Sequence, residues 1–402
     1  MAASSEIQCL PPEIILQIIS KLPISSLFQV KYVCKAWHNL AQDSRFLDLI
    51  LKRSPEESEC LVMHSNSLAK NQIFLVDYSE LLYCDKETQL MNIQSSFCSS
   101  SPEFDVVSSC NGLLCLLCDN SLTNNGVLRI YNPLTGEYKA LPNTTSFHDP
   151  TQYVVYGFGF NPITNEYKVV KIIYYWPAQE EEDDDYLGLM SFSLRVSEVK
   201  VLSLGSSSWR CLGRTSYYLD DWPGQAVVNG RIHWETCQQR DFPHRDIISF
   251  HLEDEQFREV PKPDDLLLLK CDHLSILRGC LSVGLCVNYG KLEIWVMKEY
   301  GVKESWVKEF NIASYVPKSL LGQEKEEQSC RISCIAKKAS FDRVLSELRS
   351  GEILMEHHGK SLVLYDPKTQ SFKDIQFKGM PTLFDTVAHV ANFNQIGTRL
   401  GI

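Results

Sequence analysis

The chain has 402 residues, with 39 Lys and Arg against 50 Asp and Glu, for a net charge of −11. That acidic excess argues against nucleic acid as the main partner, and no run approaches the ~18 apolar residues of a membrane span. The N-terminus carries no basic-then-apolar leader, so the protein is expected inside the cell, in the cytoplasm, the nucleus or both.

The first run, Leu10-Pro11-Pro12-Glu13-Ile14-Ile15, predicts a helix start, because proline in a first turn loses no hydrogen bond and already has helical φ. Ile14, Ile18 and Leu22 follow at i, i+4 and i+8, with Ile15 and Ile19 one step around, giving a broad apolar face that Pro23 ends. Ser25 or Ser26 can cap a second helix carrying Leu27 and Val30. Val33, Cys34, Trp37 and Leu40 extend the stripe through a third, and Ser44 opens a short fourth stretch with Phe46, Leu47 and Ile50. A piece of about 45 residues buries too little surface to stand alone. Its apolar excess either caps the rest of the chain or holds a partner.

After about Ser54 the helical spacing gives way to short apolar runs broken by turns, starting with Cys60-Leu61-Val62-Met63 and Ile73-Phe74-Leu75-Val76. Two domains are expected, a helical module over 1–54 and a β domain over 59–402. Pairs seven positions apart recur around turns: Tyr131 and Tyr138, Leu202 and Trp209, Phe250 and Phe257, Tyr365 and Phe372. Asn132-Pro133-Leu134-Thr135-Gly136 and Asp366-Pro367-Lys368-Thr369-Gln370 read as hairpin tips. Trp295 and Trp306 form a looser unit of the same kind. Asn111-Gly112, Asn229-Gly230, Arg278-Gly279 and Ser350-Gly351 each precede an apolar strand, with Gly supplying positive φ.

Mainly β architecture with a small N-terminal α-helical module is therefore expected. The β part reads as a propeller of about six blades, alternatively seven, whose radial repetition hides sheet edges. The run Val387-Ala388-His389-Val390 would close the ring beside the first blade. A double β-sandwich is the runner-up and explains the Asn-Gly repeats less well. Two insertions interrupt the repeat, the acidic run Glu180-Glu181-Glu182-Asp183-Asp184-Asp185 and the polar stretch 318–328.

Motifs for catalysis or metal binding are missing. The fifteen cysteines are scattered through apolar runs and read as reduced core residues. Cys115 and Cys118 form one C-x-x-C inside a strand-like run without a second pair. Gly157-Phe158-Gly159 lacks the third glycine of a dinucleotide loop and reads as a turn or packing feature. His357-His358 would lie on a strand, where adjacent side chains point to opposite faces and share a metal poorly. The acidic run lacks the spacing of a calcium loop and reads as solvated. No metal and no cofactor are expected. Tyr174, Tyr175, Trp176, Tyr217, Tyr218 and Trp222 flank loop-like stretches, as aromatic anchors for a partner would; the alternative is packing between blades.

The N-terminal stretch resembles an F-box, through which substrate receptors of the SCF ubiquitin ligases grip a Skp-type adaptor. The resemblance is carried by Leu10, Pro11, Glu13, Ile14, Ile18, Leu22, Pro23, Leu27, Val33, Cys34, Trp37 and Phe46. From Glu59 onward the chain is similar to the F-box-associated, kelch-like domain of plant F-box proteins. The blocks are Ser109-Cys110-Asn111-Gly112-Leu113-Leu114-Cys115, Tyr131-Asn132-Pro133, Gly157-Phe158-Gly159-Phe160 with Tyr167-Lys168-Val169-Val170, Val228-Asn229-Gly230-Arg231-Ile232-His233-Trp234, and Ile294-Trp295-Val296-Met297 with Ser305-Trp306. The paired glycines of strict kelch repeats are absent.

The resemblance implies a non-catalytic substrate receptor. Its adaptor contacts would be Leu10, Pro11, Pro12, Ile14, Ile18, Leu22, Pro23, Leu27, Val30, Val33, Cys34 and Trp37, with cullin reached through the adaptor. The propeller would hold an unknown target protein for ubiquitination and proteasomal degradation, so no cysteine of this chain need be catalytic. Two alternatives stand beside it: a propeller enzyme or small-molecule sensor with a pocket in the central channel, and an adaptor-bound scaffold without a role in degradation. Polar, titratable side chains converging on the channel would favour the former, and an apolar plug would remove it.

Overall fold

The computed structural model describes residues 10–41, 45–46, 49, 58–65, 72–83, 88–93, 103–119, 126–143, 152–175, 196–220, 225–237, 245–267, 273–287, 291–318, 320, 342–392 and 396. Among the described residues α1 (Pro12–Ile19), α2 (Ile24–Val33) and α3 (Lys35–Ala41) lead into it, and Arg45, Phe46 and Leu49 beyond them are also helical. Pro12 takes the first helical position of α1, as its missing amide hydrogen allows. The helix stops at Ile19, shorter than the Ile14, Ile18, Leu22 pattern implies, because Lys21 and Leu22 turn back to the carbonyls of Ile18 and Ile19. Neither Ser25 nor Ser26 is the cap of α2, which begins before both of them, directly after Pro23.

Six four-stranded antiparallel sheets follow, as a six-bladed propeller. Blade one contains β1 (Glu59–Ser65), β2 (Gln72–Asp77) and β3 (Met91–Ile93), with α4 (Tyr78–Tyr83) after β2. Blade two is β4 (Glu103–Cys110), β5 (Leu113–Asp119), β6 (Val127–Tyr131) and β7 (Tyr138–Ala140). Blade three is β8 (Gln152–Asn161), β9 (Glu166–Tyr175), β10 (Val196–Ser203) and β11 (Arg210–Gly213). Blade four is β12 (Ala226–Val228), β13 (Arg231–Glu235), β14 (Ile247–His251) and β15 (Phe257–Val260), followed by the short α5 (Asp264–Leu267). Blade five is β16 (His273–Leu277), β17 (Cys280–Val287), β18 (Lys291–Met297) and β19 (Trp306–Ile312). Blade six is β20 (Asp342–Glu347), β21 (Ile353–His357), β22 (Ser361–Asp366) and β23 (Ser371–Ile375).

The last strand, β24 (Phe384–Val390), completes blade one: it pairs with β1 from Glu59↔Val390 to Ser65↔Phe384. The C-terminal run thus closes the ring as its sequence suggested, and no unpaired edge is left on the inner side of β1. The innermost strands are β24, β4, β8, β12, β16 and β20, each next to its neighbours around a central channel.

The turns follow their residues. Asn111-Gly112, Asn229-Gly230 and Arg278-Gly279 have positive φ at both positions, the two-residue hairpin geometry that suits the twist of antiparallel strands. Tyr131↔Tyr138, Phe250↔Phe257 and Tyr365↔Phe372 pair directly across their tips. Two of the anticipated pairs differ. The ladder of blade three ends at Val201↔Arg210, one step short of Leu202 and Trp209. Trp295 and Trp306 do not face each other: the hairpin pairs Met297 with Trp306 and so Trp295 with Lys308, and the register shifts only beyond them, between Trp295 and Ile294.

Apolar clusters fill the spaces between adjacent blades. Gly157 and Gly159 sit on β8 at such a junction: an added Cβ at Gly157 would lie 2.4 Å from the Trp234 ring, and at Gly159 2.9 Å from Leu252. They are packing residues that let blades three and four approach. The path of each blade repeats, so one end of the ring gathers the turns after the inner strands. Asp77 lies at that end, because Cys60 pairs with both Asp77 and His389. Tyr175 and Val196, paired with each other, lie at the opposite end.

Candidate adaptor-binding and target-binding surfaces

The apolar residues of the helical module divide between two faces. Leu16 and Ile19 of α1 are buried, as are Ile24, Leu27, Phe28 and Val30 of α2 and Phe46 beyond α3. They form one cluster with Cys60, Val62, Ile73, Leu75 and Ile93 of blade one and Leu114, Leu116 and Cys118 of blade two. The opposite face keeps large apolar groups in solvent: Leu10 is 40% exposed, Ile14 42%, Ile18 50% and Val33 59%. Pro11, Pro12, Pro23 and Cys34 are also exposed.

Of the residues expected at the adaptor contact, Leu27 and Val30 are therefore wall residues of the shared core, unavailable to a partner while the module stays seated. Leu22 and Trp37 are half-buried against the same cluster. The remaining eight are exposed, Pro23 among them although it lines a cleft against the propeller. An apolar stripe wider than one helix face has to be split this way once one side of it meets the propeller.

A polar contact accompanies the apolar one. The N–H of Ile24, at the start of α2, donates to Asp77 Oδ2 at 3.0 Å. The other oxygen, Oδ1, accepts from the N–H of Ser79 at 2.8 Å and from its hydroxyl at 2.7 Å, capping α4. One buried carboxylate at the end of β2 thus serves two helix starts, where orphan amides and the helix dipole both favour a negative charge. Sequence reasoning passed over Asp77. Its run Asp77-Tyr78-Ser79-Glu80 carries the Asp-x-x-Glu signature of a helix start; its link to Ile24, 53 positions away, has no local signal.

At the far end of the ring, Tyr174 differs from the expected anchor. It is buried, its hydroxyl donates to the carbonyl of Tyr217 at 2.9 Å and accepts from the N–H of Leu219 at 3.0 Å, and its ring meets Tyr153 and Tyr218. It holds the segment between β11 and β12. Tyr175 is half-buried and donates to Glu198 at 3.0 Å, and burial together with that carboxylate pushes its hydroxyl up to about 12. Tyr217 and Tyr218 are half-buried on the same end. Trp176, Trp222 and the acidic run 180–185 lie outside the described residues.

The central channel encloses about 620 Å³ and is lined in part by Ser109, Gln225, His273, Ser275, Arg343 and His389. Its lining is mixed: these polar groups stand among apolar side chains such as Val106, Ile276, Val344 and Val387. Most of the polar groups are turned to the wall. The N–H of Val344 donates to His273 Nε2 at 2.8 Å, bridging blades five and six. Arg343 donates to the carbonyl of Thr386 and lies 3.6 Å from Glu356, whose carboxyl is pushed up by burial. Ser109 Oγ and His389 Nδ1 are 2.8 Å apart, a hydroxyl and imidazole at the distance of a nucleophile and its base. Burial lowers His389 to about 3, however, which makes it a poor base at neutral pH, and its other nitrogen meets no orienting carboxylate.

Among the described residues no group of three His, Cys, Asp or Glu is placed to hold a metal. Cys115 and Cys118 are buried, and burial raises the Cys115 thiol far above its ordinary range. His358 is not on a strand: it follows the end of β21 with φ of 53°, and its ring meets that of His357 edge-on at 4.2 Å. No helix among the described residues is long and apolar enough to cross a membrane.

Two family models account for this division of the chain. One described as F-box-like matches residues 7–47, and one described as the F-box associated beta propeller domain matches residues 60–396. The chain belongs to the F-box proteins with an F-box-associated propeller. F-box protein At3g07870 of Arabidopsis thaliana is 41% identical, over 98% of this chain and 94% of its own length. F-box protein CPR1 of the same plant is 25% identical over 93% and 86%. Among solved structures, TolB from Acinetobacter baumannii aligns with a TM-score of 0.45 at 7% identity, covering 88% of this chain and 72% of that one, too distant to carry any argument. The F-box as a class binds Skp-type adaptors, which makes this protein an F-box substrate-recognition protein in general terms.

Proposed function

We propose that the protein is the substrate-recognition subunit of an SCF-type ubiquitin ligase, acting in the cytoplasm, the nucleus or both. The F-box holds a Skp-type adaptor and, through it, cullin; the propeller holds a target protein for ubiquitination and proteasomal degradation. The observation that carries this reading is the exposed stripe of Leu10, Ile14, Ile18 and Val33 on a module whose other face is already buried. Such a stripe left in water favours a partner. Its role is proximity: holding a target near a ubiquitin-loaded enzyme converts an encounter between molecules into one within an assembly. The chain itself then supplies no nucleophile, in keeping with the weak imidazole beside Ser109.

The target is assigned to the end of the ring away from Asp77, where Tyr175, Tyr217 and Tyr218 offer half-buried aromatic surface. The test is co-purification of the full chain with a Skp-type adaptor, beside a Leu10→Ala/Pro11→Ala variant whose folding is checked by circular dichroism. Stoichiometric capture that the variant loses is the expected result. No capture by the folded natural chain overturns the reading.

A small-molecule sensor is the second reading, favoured by the polar side chains that stand among apolar ones in the lining of the 620 Å³ channel. A thermal-shift screen of small polar compounds tests it, with Ser275→Leu as the control that fills the channel.

A further inference from the structure

Apolar contacts hold the F-box on the propeller, but they are non-directional and tolerate rolling and sliding of one surface over the other. A hydrogen bond is directional, and one tied to a buried carboxylate resists displacement, since breaking it strands a charge. The bond from the Ile24 N–H to Asp77 Oδ2 is such a constraint. Asp77 is itself fixed at the end of β2 and by its two bonds to Ser79 at the start of α4. Pro23, at the N-cap of α2, has no side-chain acceptor and makes no cap of its own. The arrangement therefore pins the axis of α2, and with it the exposed stripe, at a set angle to blade one.

Beside this bond lies a cleft of about 600 Å³, between Ser20, Lys21 and Pro23 on one side and Tyr78, Leu348 and Arg349 on the other. That space is room into which the module could tilt. Asp77 stands at its edge.

We infer that Asp77 is a positioning residue: it sets the angle at which the F-box is carried on the propeller, and so determines which lysines reach a ubiquitin-loaded enzyme in the assembled ligase. The inference rests on the ligase reading for its second half and on geometry alone for its first.

The experiment uses the full chain as natural protein, Asp77→Ala and Asp77→Asn. Spectroscopic labels are attached through bio-orthogonal amino acids at the exposed positions Gln17 of α1 and Lys139 of β7. Pulsed electron paramagnetic resonance gives the distance distribution between them. In parallel, each protein is assembled with a Skp-type adaptor and cullin, and the chain's own lysines serve as acceptors mapped by mass spectrometry. Asp77→Ala is expected to bind adaptor within about twofold of the natural chain, to broaden the distance distribution and to spread modification over more lysines. Asp77→Asn keeps a carbonyl acceptor for the Ile24 amide and is expected to restore the narrow distribution.

An unchanged distribution in folded Asp77→Ala overturns the inference. A broadened distribution with an unaltered lysine map overturns its second half only. Failure of the natural chain to bind adaptor defeats the ligase reading and leaves the distance measurement valid. Should Asp77→Ala not fold, hydrogen exchange of the natural chain decides: a first-turn amide has no acceptor within its own helix, so protection of Ile24 to the level of strand amides supports the bond, and rapid exchange overturns it.

Discussion

Ile18 and Ile19 are adjacent, identical in chemistry and on the same helix, yet Ile18 is half exposed and Ile19 fully buried. The two faces of the F-box differ in what they meet, and residue type does not separate them. The inner face joins the propeller core and contributes to folding; the outer face is left in water, where the proposed function gives it a partner. An apolar residue in a short helical module can thus belong to either account, and only the seating of the module tells which.

The comparison can be broken most directly from the inside. Leu27→Ala deletes buried methyl groups from the cluster shared with blades one and two, and is expected to cost about 2–5 kcal/mol in chemical denaturation. A smaller loss, within about 0.5 kcal/mol, would mean that the module is not seated on the propeller in solution.

Acid tests the ring separately from the module. Burial lowers His233 to about 4 and His273 and His389 to about 3, so each favours the neutral form in the folded state. The unfolded imidazoles titrate near 6.5, so this stability is fully present above pH 6.5 and is lost as pH falls toward 3 to 4. At pH 5 the loss is on the order of 2 kcal/mol for each of these imidazoles. Glu356 runs in the opposite sense: its raised carboxyl stabilises in acid and loses that contribution as pH rises through its folded value. Melting temperature should therefore fall between pH 6.5 and 4, less steeply in His389→Gln. Equal slopes would show that His389 is not held neutral.

The outer face is sharpened by charge. Ile14→Asp with Ile18→Asp should leave stability within about 0.5 kcal/mol, since both are exposed, and weaken adaptor binding at least tenfold, about 1.4 kcal/mol, by calorimetric titration. Equal adaptor affinity would move the contact elsewhere. The smallest effect is expected at the far end: Tyr174→Phe removes a hydroxyl that both donates and accepts, and should cost about 1 kcal/mol in urea denaturation without touching the adaptor.

The propeller was legible because its punctuation is local. A two-residue Asn-Gly turn and a seven-residue aromatic pair each fix one hairpin, and repetition supplies the rest, including closure through 387–390. Reading failed where the turn is longer than the repeat, as between Met297 and Trp306, whose pairing leaves Trp295 opposite Lys308. The site was legible only in outline. Periodicity marked the apolar residues of α1 and α2 but could not say that Leu27 and Val30 face inward, since that depends on blades folded from residues far along the chain. Tyr174 looked like an anchor because it ends a strand beside a loop; its buried hydroxyl bonds come from a segment 43 and 45 positions away.

The pairing of β24 with β1 joins the two ends of the propeller sequence, so the ring is complete only once residues 384–390 have been made. The F-box leaves the ribosome first, but the blade beneath it lacks its innermost strand until residues 384–390 emerge. Until then β1 presents a bare edge, the kind of surface that chaperones and proteases engage. A transcript broken early, or a chain clipped near its end, would carry a receptor module on an open sheet. A chain cut before residue 384 would therefore leave one edge of β1 without its partner strand.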